Sequence, residues 1–179
     1  KSMKGTKVNQ IMIGSCTNSS YRDIRTVALY LKGKHVAEDV EVGIACGSRQ
    51  VVNMLAADGS LAILVKAGCR MLENACGFCI GAHMSPRTGA ISLRTNNRNF
   101  EGRSGTKSAQ VYLVSPETAA ASALTGKVED PRKNAVAAVP APKKFPIDDE
   151  MFLYRATARK GVKKTEIVRG PNIAPVPKG

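Results

Sequence analysis

The sequence has few aromatic residues, few acidic residues and no long apolar run. Tryptophan is absent and aromatics make up 4% of the 179 residues, so alanine, valine, isoleucine and leucine must fill most of the core. No apolar stretch approaches the ~18 residues that a membrane-spanning helix needs, and the first residues lack the pattern of a signal peptide. We therefore expect a cytoplasmic protein with no membrane partner, whose first residue lies inside a longer chain.

The shortage of acidic residues leaves the chain strongly basic. It has 27 Lys and Arg against 14 Asp and Glu, a net charge of +13. A basic surface attracts nucleic acid, acidic lipid or carboxylate substrates, and it also suits contact with an acidic neighbouring domain. Few aromatic side chains and the lack of a second Cys-x-x-Cys pair count against a nucleic-acid-binding module with a structural zinc, which stays an alternative.

Predicted strands and helices alternate along most of the chain. Short apolar strands are predicted at residues 8–14, 40–45, 70–72, 89–93 and 111–114. Helices with an apolar face are predicted to begin after Ser19 or Ser20, after Ser48, at Leu61 and after Ser115. This alternation favours a three-layer α/β fold with a mainly parallel sheet flanked by helices.

The composition changes after Asp130. Seven of the nine prolines lie at or beyond Pro131, in a segment that is also basic. Proline-rich segments of this kind serve as linkers or as arms that lie over another domain. We therefore predict an α/β domain at residues 1–130 and a basic, irregular proline-rich arm at 131–179, with residues 151–154 as an anchor.

The five cysteines are an odd number, and nothing indicates secretion, so metal ligation is favoured over a disulfide framework. Cys16 follows the first predicted strand, at the carboxyl edge of the sheet, where open α/β folds bind ligands. Cys76 and Cys79 form a pair that suits a redox site, half a zinc site or two iron–sulfur ligands. His83 and Cys16 could complete a zinc site. Three thiolates could instead hold three corners of a four-iron cluster and leave one iron open as a Lewis acid.

A candidate anion receptor follows about twenty residues after the cysteine pair. The segment 97–103 reads Asn-Arg-Asn-Phe-Glu-Gly-Arg, and its two arginines and two amides suit bidentate binding of carboxylates. An open metal site beside such a receptor suggests hydration or dehydration of a hydroxy polycarboxylic acid. The remaining candidates have simpler interpretations: Cys46 and Cys69 as core thiols, and His35 as a surface residue.

Four motifs resemble the third domain of the aconitase superfamily, which includes aconitase, homoaconitase and the isopropylmalate isomerase large subunit. They are Gly-Ser-Cys-Thr-Asn-Ser-Ser-Tyr at 14–21, Asn-Ala-Cys-Gly-Phe-Cys-Ile-Gly at 74–81, Asn-Arg-Asn-Phe-Glu-Gly-Arg at 97–103 and Leu-Val-Ser-Pro-Glu-Thr-Ala-Ala at 113–120. The resemblance covers about residues 8–130. The resemblance is closest to single-chain bacterial aconitases, in which a tail like that at 166–173 leads to a swivelling domain. Residues 105–110 look closer to those proteins and to the isomerases than to mitochondrial aconitase.

The resemblance implies a role for each motif. It makes three residues the ligands of a [4Fe-4S] cluster: Cys16, Cys76 and Cys79. It makes three others substrate-binding residues: Asn97, Arg98 and Arg103. It places the catalytic base, a serine, on the swivelling domain, so no catalytic residue is expected within this fragment.

The resemblance also implies an activity and partners. We expect an aconitase-type lyase of the tricarboxylic acid cycle, which isomerises citrate to isocitrate through cis-aconitate by dehydration and rehydration. An isopropylmalate or homoaconitate isomerase is the alternative. The expected partners are a hydroxy tricarboxylic acid and the remaining domains of the parent chain, while RNA binding is not expected.

Two residues depart from the family pattern. Phe78 stands where the family usually has proline, which predicts a looser ligand loop. His83 lies in an unusual segment after the cysteine pair, and a histidine near the cluster would perturb the pocket.

Overall fold

The computed structural model describes residues 2–150 together with 152, 170 and 171. Five strands form one sheet in the order β3-β2-β1-β4-β5, and every pairing is parallel. The strands are β1 (Gln10–Gly14), β2 (Glu41–Ala45), β3 (Arg70–Leu72), β4 (Ile91–Arg94) and β5 (Gln110–Leu113). The predicted three-layer α/β class with a mainly parallel sheet is confirmed.

Four α-helices accompany the sheet. They are α1 (Tyr21–Leu31), α2 (Arg49–Ala57), α3 (Ser60–Lys66) and α4 (Pro116–Thr125), with short 3-10 helices at Phe78–Ile80 and Pro131–Asn134. Helix α1 begins with a capping box, in which Ser20 and Asp23 each accept a hydrogen bond from the other's backbone. The predicted helix starts after Ser20, Ser48 and Ser115 are confirmed. No helix in the described part of the chain has the length and apolar character to cross a membrane.

The two faces of the sheet are covered differently, and strand β1 shows how. Ile11 and Ile13 point into the main core, which the helices cover. Met12, between them, belongs to a second, smaller core with Ala45, Phe78 and Met84. Alternation along a strand sends neighbouring side chains to opposite faces. The second face is therefore covered by the loop that contains Phe78–Ile80.

Two units divide the chain, Lys1–Ile147 and Asp148–Gly179. Within the first unit, the proline-rich segment lies along the helices: the Tyr30 hydroxyl donates to the Pro131 carbonyl at 3.1 Å, and Gln50 donates to the Pro146 carbonyl at 2.5 Å. The second unit is described only at 148–150, 152, 170 and 171, so most of the predicted anchor at 151–154 and most of the tail at 166–173 lie outside the described residues. The boundary at residue 131 stays a prediction.

Candidate functional site

The strand order brings three sequence motifs to one edge of the sheet. Because all five strands are parallel, the loops that follow β1, β3 and β4 leave from the same edge. The order of the strands reverses at β1 and β4, and open α/β sheets bind ligands at such a switch point. Cys16 follows β1, Cys76 follows β3, and the arginine motif follows β4. The topology therefore assembles the candidate site.

The loop that carries Cys16 is tied to both neighbouring strands. Gly14 has a φ of +95°, and a side chain there would place its Cβ 2.0 Å from the Ala45 carbonyl oxygen. The Gly14 amide donates to the Thr95 hydroxyl at 2.8 Å, and Asn18 donates its side-chain amide to the Thr95 carbonyl. Glycine is thus required where β1 turns into the loop.

Backbone strain is concentrated in these loops. Within residues 2–150, three residues other than glycine have a positive φ: Ser15 at 85°, Asn18 at 50° and His83 at 68°. Two of them flank Cys16, and the third follows Cys79 by four positions. Such conformations cost of order 1–3 kcal/mol each and cluster at functional sites. The strained backbone near Cys16 and Cys79 therefore indicates a functional role for these loops.

The structure brings the three motif cysteines together. Cys16 and Cys76 are exposed, and Cys79 is buried in the middle of the 3-10 helix Phe78–Ile80. Hydrogen bonding by Ser15 lowers the pKa of the Cys76 thiol, but desolvation, the charges of Cys79 and Cys16 and a hydrogen bond with Cys16 outweigh it, so the pKa is raised overall. The thiols are therefore close enough to influence one another's ionisation.

Cys79 also contacts two side chains from the loop after β4. Asn96 Nδ2 lies 3.4 Å from Cys79 Sγ, and Arg103 Nη2 lies 3.5 Å from the same sulfur. The Oδ1 of Asn96 and the Nε of Arg103 are buried and have no hydrogen-bond partner within the described residues. Buried polar atoms are usually paired. Three thiols and a guanidinium with an unpaired Nε fit an anionic sulfur-bound cofactor, and the unpaired Asn96 Oδ1 can accept a hydrogen bond from a polar ligand beside it.

The described residues offer no group of three or more His, Cys, Asp or Glu side chains arranged to hold a metal ion. A tetrahedral zinc site needs its ligands around one centre, with Zn–S distances of about 2.3 Å. Cluster thiolates bind different irons and need no common centre. His83 is exposed, and its ring packs against Gly77, 2.9 Å from where a Cβ would stand. The described residues therefore show no preformed metal centre, and both the zinc alternative and the cluster stay proposals.

The predicted substrate-binding residues differ in their exposure and in their contacts with the rest of the site. Arg103 reaches Cys79, as described above, while the side chains of Asn97 and Arg98 are exposed and make no hydrogen bond or ion pair with the rest of residues 2–150. Asn99 donates to the Val111 carbonyl at 2.7 Å and so holds the loop to β5. Asn97 and Arg98 are therefore open to a ligand, and Asn99 has a structural contact.

Sequence reasoning missed three residues of this site. Ser15 acts on Cys76, Asn96 contacts Cys79, and Arg94 is buried at the end of β4 behind the Cys79 loop. The sequence signal for Arg94 is its position as a charged residue directly after the predicted strand at 89–93. The signal for Asn96 was its place in the polar run that follows the same strand.

The remaining predictions can be compared directly with the structure. Cys46 and Cys69 are buried, as predicted, at 1% and 6% exposure, and His35 is exposed. Phe78 is buried at 2% exposure and packs in the second core. It therefore anchors the ligand loop, where the sequence predicted a looser one.

Comparison with known proteins supports the motif assignments. The model of the aconitase family (aconitate hydratase) matches residues 1–126. The chain is 42% identical over 131 residues to 3-isopropylmalate dehydratase large subunit 1 of Methanopyrus kandleri, a match that covers 73% of this chain and 31% of that relative.

Two homoaconitases are similarly close. The methanogen homoaconitase large subunit of Methanocaldococcus jannaschii is 42% identical over 127 residues, covering 70% of this chain and 30% of that protein. The homoaconitase large subunit of Thermus thermophilus is 41% identical over 132 residues, covering 73% and 32%. The chain thus spans about a third of the length of the curated relatives it matches.

Proposed function

Since this chain belongs to the aconitase family, we propose that it is the cluster-carrying part of a hydro-lyase that acts on hydroxy polycarboxylic acids. The observation that carries the proposal is the convergence of the Cys16, Cys76 and Cys79 thiols beside the Arg103 guanidinium. These groups come from three loops at one edge of the sheet. Sulfur ligands and an anion receptor thus stand side by side.

The proposed ligands of the [4Fe-4S] cluster are Cys16, Cys76 and Cys79. When bound through three thiolates, such a cluster supplies an open iron that acts as a Lewis acid on a substrate oxygen. The fit rests on the three thiols and on the unpaired Arg103 Nε donor beside them, while the unpaired Asn96 Oδ1 can accept from a ligand hydroxyl. Asn96 and Arg103 donate toward the Cys79 sulfur.

The proposed carboxylate receptor consists of Asn97, Arg98 and Arg103. Arginine holds a carboxylate through two parallel hydrogen bonds, and its charge persists at any physiological pH. Arg98 is exposed and unpaired within the described residues, so its fork is available. The Arg103 guanidinium lies over the Phe100 ring, 5.4 Å from the ring centroid, which restricts its orientation. The pair would orient the acid and leave its hydroxyl toward the cysteines.

The names of the relatives bear on the choice of acid. The relatives described above are named 3-isopropylmalate dehydratase or homoaconitase large subunits, which favours isopropylmalate or homoaconitate as the substrate. Citrate remains the second candidate, because the tail at 166–173 resembles the linker of single-chain aconitases, whereas residues 105–110 resemble both those proteins and the isomerases. We propose that other domains of the parent protein complete the site, since the chain matches about a third of each relative.

The test is ligand binding by the chain after anaerobic reconstitution with iron and sulfide. The electron paramagnetic resonance spectrum of the reduced protein would be recorded with 3-isopropylmalate, with citrate, and with tricarballylate, which is citrate without its hydroxyl. We expect the hydroxy acids to change the spectrum at lower concentrations than tricarballylate, and isopropylmalate at lower concentrations than citrate. Equal responses to all three acids would contradict hydroxyl recognition at this site.

A further inference from the structure

Arg94 is a charged residue in the interior of the sheet. It ends β4, its side chain is fully buried, and none of the ion pairs between the described residues includes it. Its Nη2 donates to Gln10 Oε1 at 3.0 Å, and Gln10 Nε2 donates to a Glu41 carboxylate oxygen at 3.2 Å. An amide therefore separates Arg94 from that carboxylate. Burying a cation without a direct anionic partner is costly, so the arrangement calls for an explanation.

Nε of Arg94 donates to Ser92 Oγ at 3.2 Å within β4, and two further hydrogen bonds hold the loop that carries Cys79. Nη1 donates to the Phe78 carbonyl at 2.5 Å, and Nη2 also donates to the Met84 carbonyl at 3.3 Å. These two carbonyls lie on either side of Cys79 in the sequence. The Phe78 ring also lies near the guanidinium, with its centroid 5.8 Å away. The position of Cys79 relative to β4 therefore depends on Arg94.

Arg94 is also electrostatically coupled to Cys79. Burial lowers the pKa of Arg94 to about 10, and the charge of Cys79 opposes that effect. A guanidinium keeps its proton in this environment at neutral pH. The buried positive charge thus lies within electrostatic range of Cys79, a proposed cluster ligand.

We propose that Arg94 is a positioning residue of the cluster site, which fixes Cys79 through the Phe78 and Met84 carbonyls and places a buried positive charge within electrostatic range of Cys79. The inference rests on the proposed function, because it takes Cys79 as a cluster ligand. The competing explanation is that Arg94 only cross-links the sheet and the loop, with no effect on the cofactor.

Three variants separate the two explanations. Arg94→Lys keeps the charge but loses the fork that reaches both carbonyls. Arg94→Gln removes the charge and most of the contacts. Gln10→Glu, made together with Glu41→Gln because Gln10 Nε2 donates to the Glu41 carboxylate, brings a carboxylate against the guanidinium to cancel its charge and leaves the residues of both carbonyl contacts unchanged. Leu55→Ala, in the main core, is the control for lost stability without a change at the site.

The first measurement uses the chain without cofactor. Cys79 is 4% exposed, so its alkylation by iodoacetamide, followed by mass spectrometry, reports loosening of the loop. We expect Arg94→Lys and Arg94→Gln to speed this alkylation roughly ten-fold, the effect of losing one charge-assisted hydrogen bond. Leu55→Ala should not speed it, in conditions where the fraction folded is matched. An unchanged rate in both Arg94 variants would overturn the positioning role.

The second measurement is the reduction potential of the reconstituted chain, because net charge near a cluster sets its potential. We expect the potential to fall in Arg94→Gln and in the double variant Gln10→Glu with Glu41→Gln, and to stay near the wild-type value in Arg94→Lys. A wild-type potential in the double variant would overturn the charge role even if Arg94→Gln does not fold. Failure of the wild-type chain to take up a cluster would overturn the proposed function, while the alkylation rates would still decide the positioning role.

Discussion

Arg103 and Cys79 are 24 residues apart in the chain, yet Nη2 of Arg103 lies 3.5 Å from Sγ of Cys79. The contact joins the arginine motif to the cysteine motif, which the sequence presents as separate features. The Nε of the same guanidinium is buried and unpaired within residues 2–150. A cation held between the Cys79 sulfur and an open edge of the sheet is suited to bind a carboxylate.

The first prediction concerns Arg98. Arg98→Lys should weaken binding of the hydroxy acid by roughly ten- to a hundred-fold, because a charge-assisted hydrogen bond contributes about 1.5–3 kcal/mol and each 1.4 kcal/mol is a factor of ten. The measurement is the titration of the reconstituted chain with 3-isopropylmalate and citrate.

The control for Arg98 is Arg132→Lys. Arg132 has a side chain that is 88% exposed and pairs with Asp130, so its replacement should be nearly neutral. Equal, small effects of the two substitutions would mean that Arg98 is a surface residue, and its assignment to the receptor would be withdrawn.

The second prediction concerns Gly14, where the backbone conformation and a close contact act together. Gly14 and Gly33 both have positive φ, but a Cβ at Gly33 meets nothing within 4 Å, whereas one at Gly14 would stand 2.0 Å from the Ala45 oxygen. Gly33→Ala should lower the free energy of unfolding by about 1–2 kcal/mol, which is the effect of the left-handed conformation alone. Gly14→Ala should lower the free energy of unfolding in urea by more than about 3 kcal/mol, because losses this large are typical of backbone strain or overpacking. Similar losses of stability in both variants would contradict the close contact between Gly14 and the Ala45 carbonyl oxygen.

The third prediction compares thiol reactivity in the chain without cofactor. Cys16 and Cys76 are exposed, whereas Cys46 is buried and burial raises its pKa to about 11. Since the thiolate is the reactive form, iodoacetamide at pH 8 should modify Cys16 and Cys76 at least ~10-fold faster than Cys46. Mass spectrometry of peptides after timed quenching gives the rates. Rapid modification of Cys46 in the folded chain would contradict its place in the core.

The fourth prediction follows from Cys69, whose pKa burial raises from 9.0 to about 12. The Cys69 thiol ionises at a lower pH in the unfolded chain than in the folded chain. Its contribution to the free energy of unfolding is therefore fully present below pH 9 and is lost as the pH rises toward 12. Between pH 9 and 11, the free energy of unfolding should fall less steeply in Cys69→Ala than in wild type, by up to about 1.4 kcal/mol per pH unit.

Leu64→Ala is the matched control for Cys69, because it removes a buried side chain that carries no proton. Its free energy of unfolding should be lower at every pH but should follow the wild-type slope. Identical slopes for Cys69→Ala and wild type would show that the thiol is not buried in solution.

Much of the fold could be predicted from the sequence, because local signals and tertiary structure agree. The caps at Ser20, Ser48 and Ser115 and the apolar strands locate the elements to within one or two residues. The parallel sheet follows from the alternation of strands and helices. The unequal covering of its two faces did not follow, since the loop that carries Phe78 has no periodic pattern.

The candidate site was predictable only where residue types are distinctive. The cysteines and the arginine motif stand out in the sequence, but Asn96 and Arg94 act through contacts that depend on the pairing of β1 with β4. Sequence spacing gives no information on such contacts between distant segments. Ser15 was likewise visible only as a small residue beside Cys16, and its effect on Cys76 depends on where the second loop folds.

The most direct test of the account is iron and sulfide analysis, with the visible spectrum, after anaerobic reconstitution of wild type and of single Cys→Ser variants. If the three cysteines hold a [4Fe-4S] cluster, we expect about four irons and four sulfides per wild-type chain, with the broad brown absorption typical of such a cluster. Serine at Cys16, Cys76 or Cys79 should abolish uptake, whereas serine at Cys46 or Cys69 should leave it intact. Uptake that survives loss of any of the first three cysteines, or tight stoichiometric zinc without iron, would contradict the central claim.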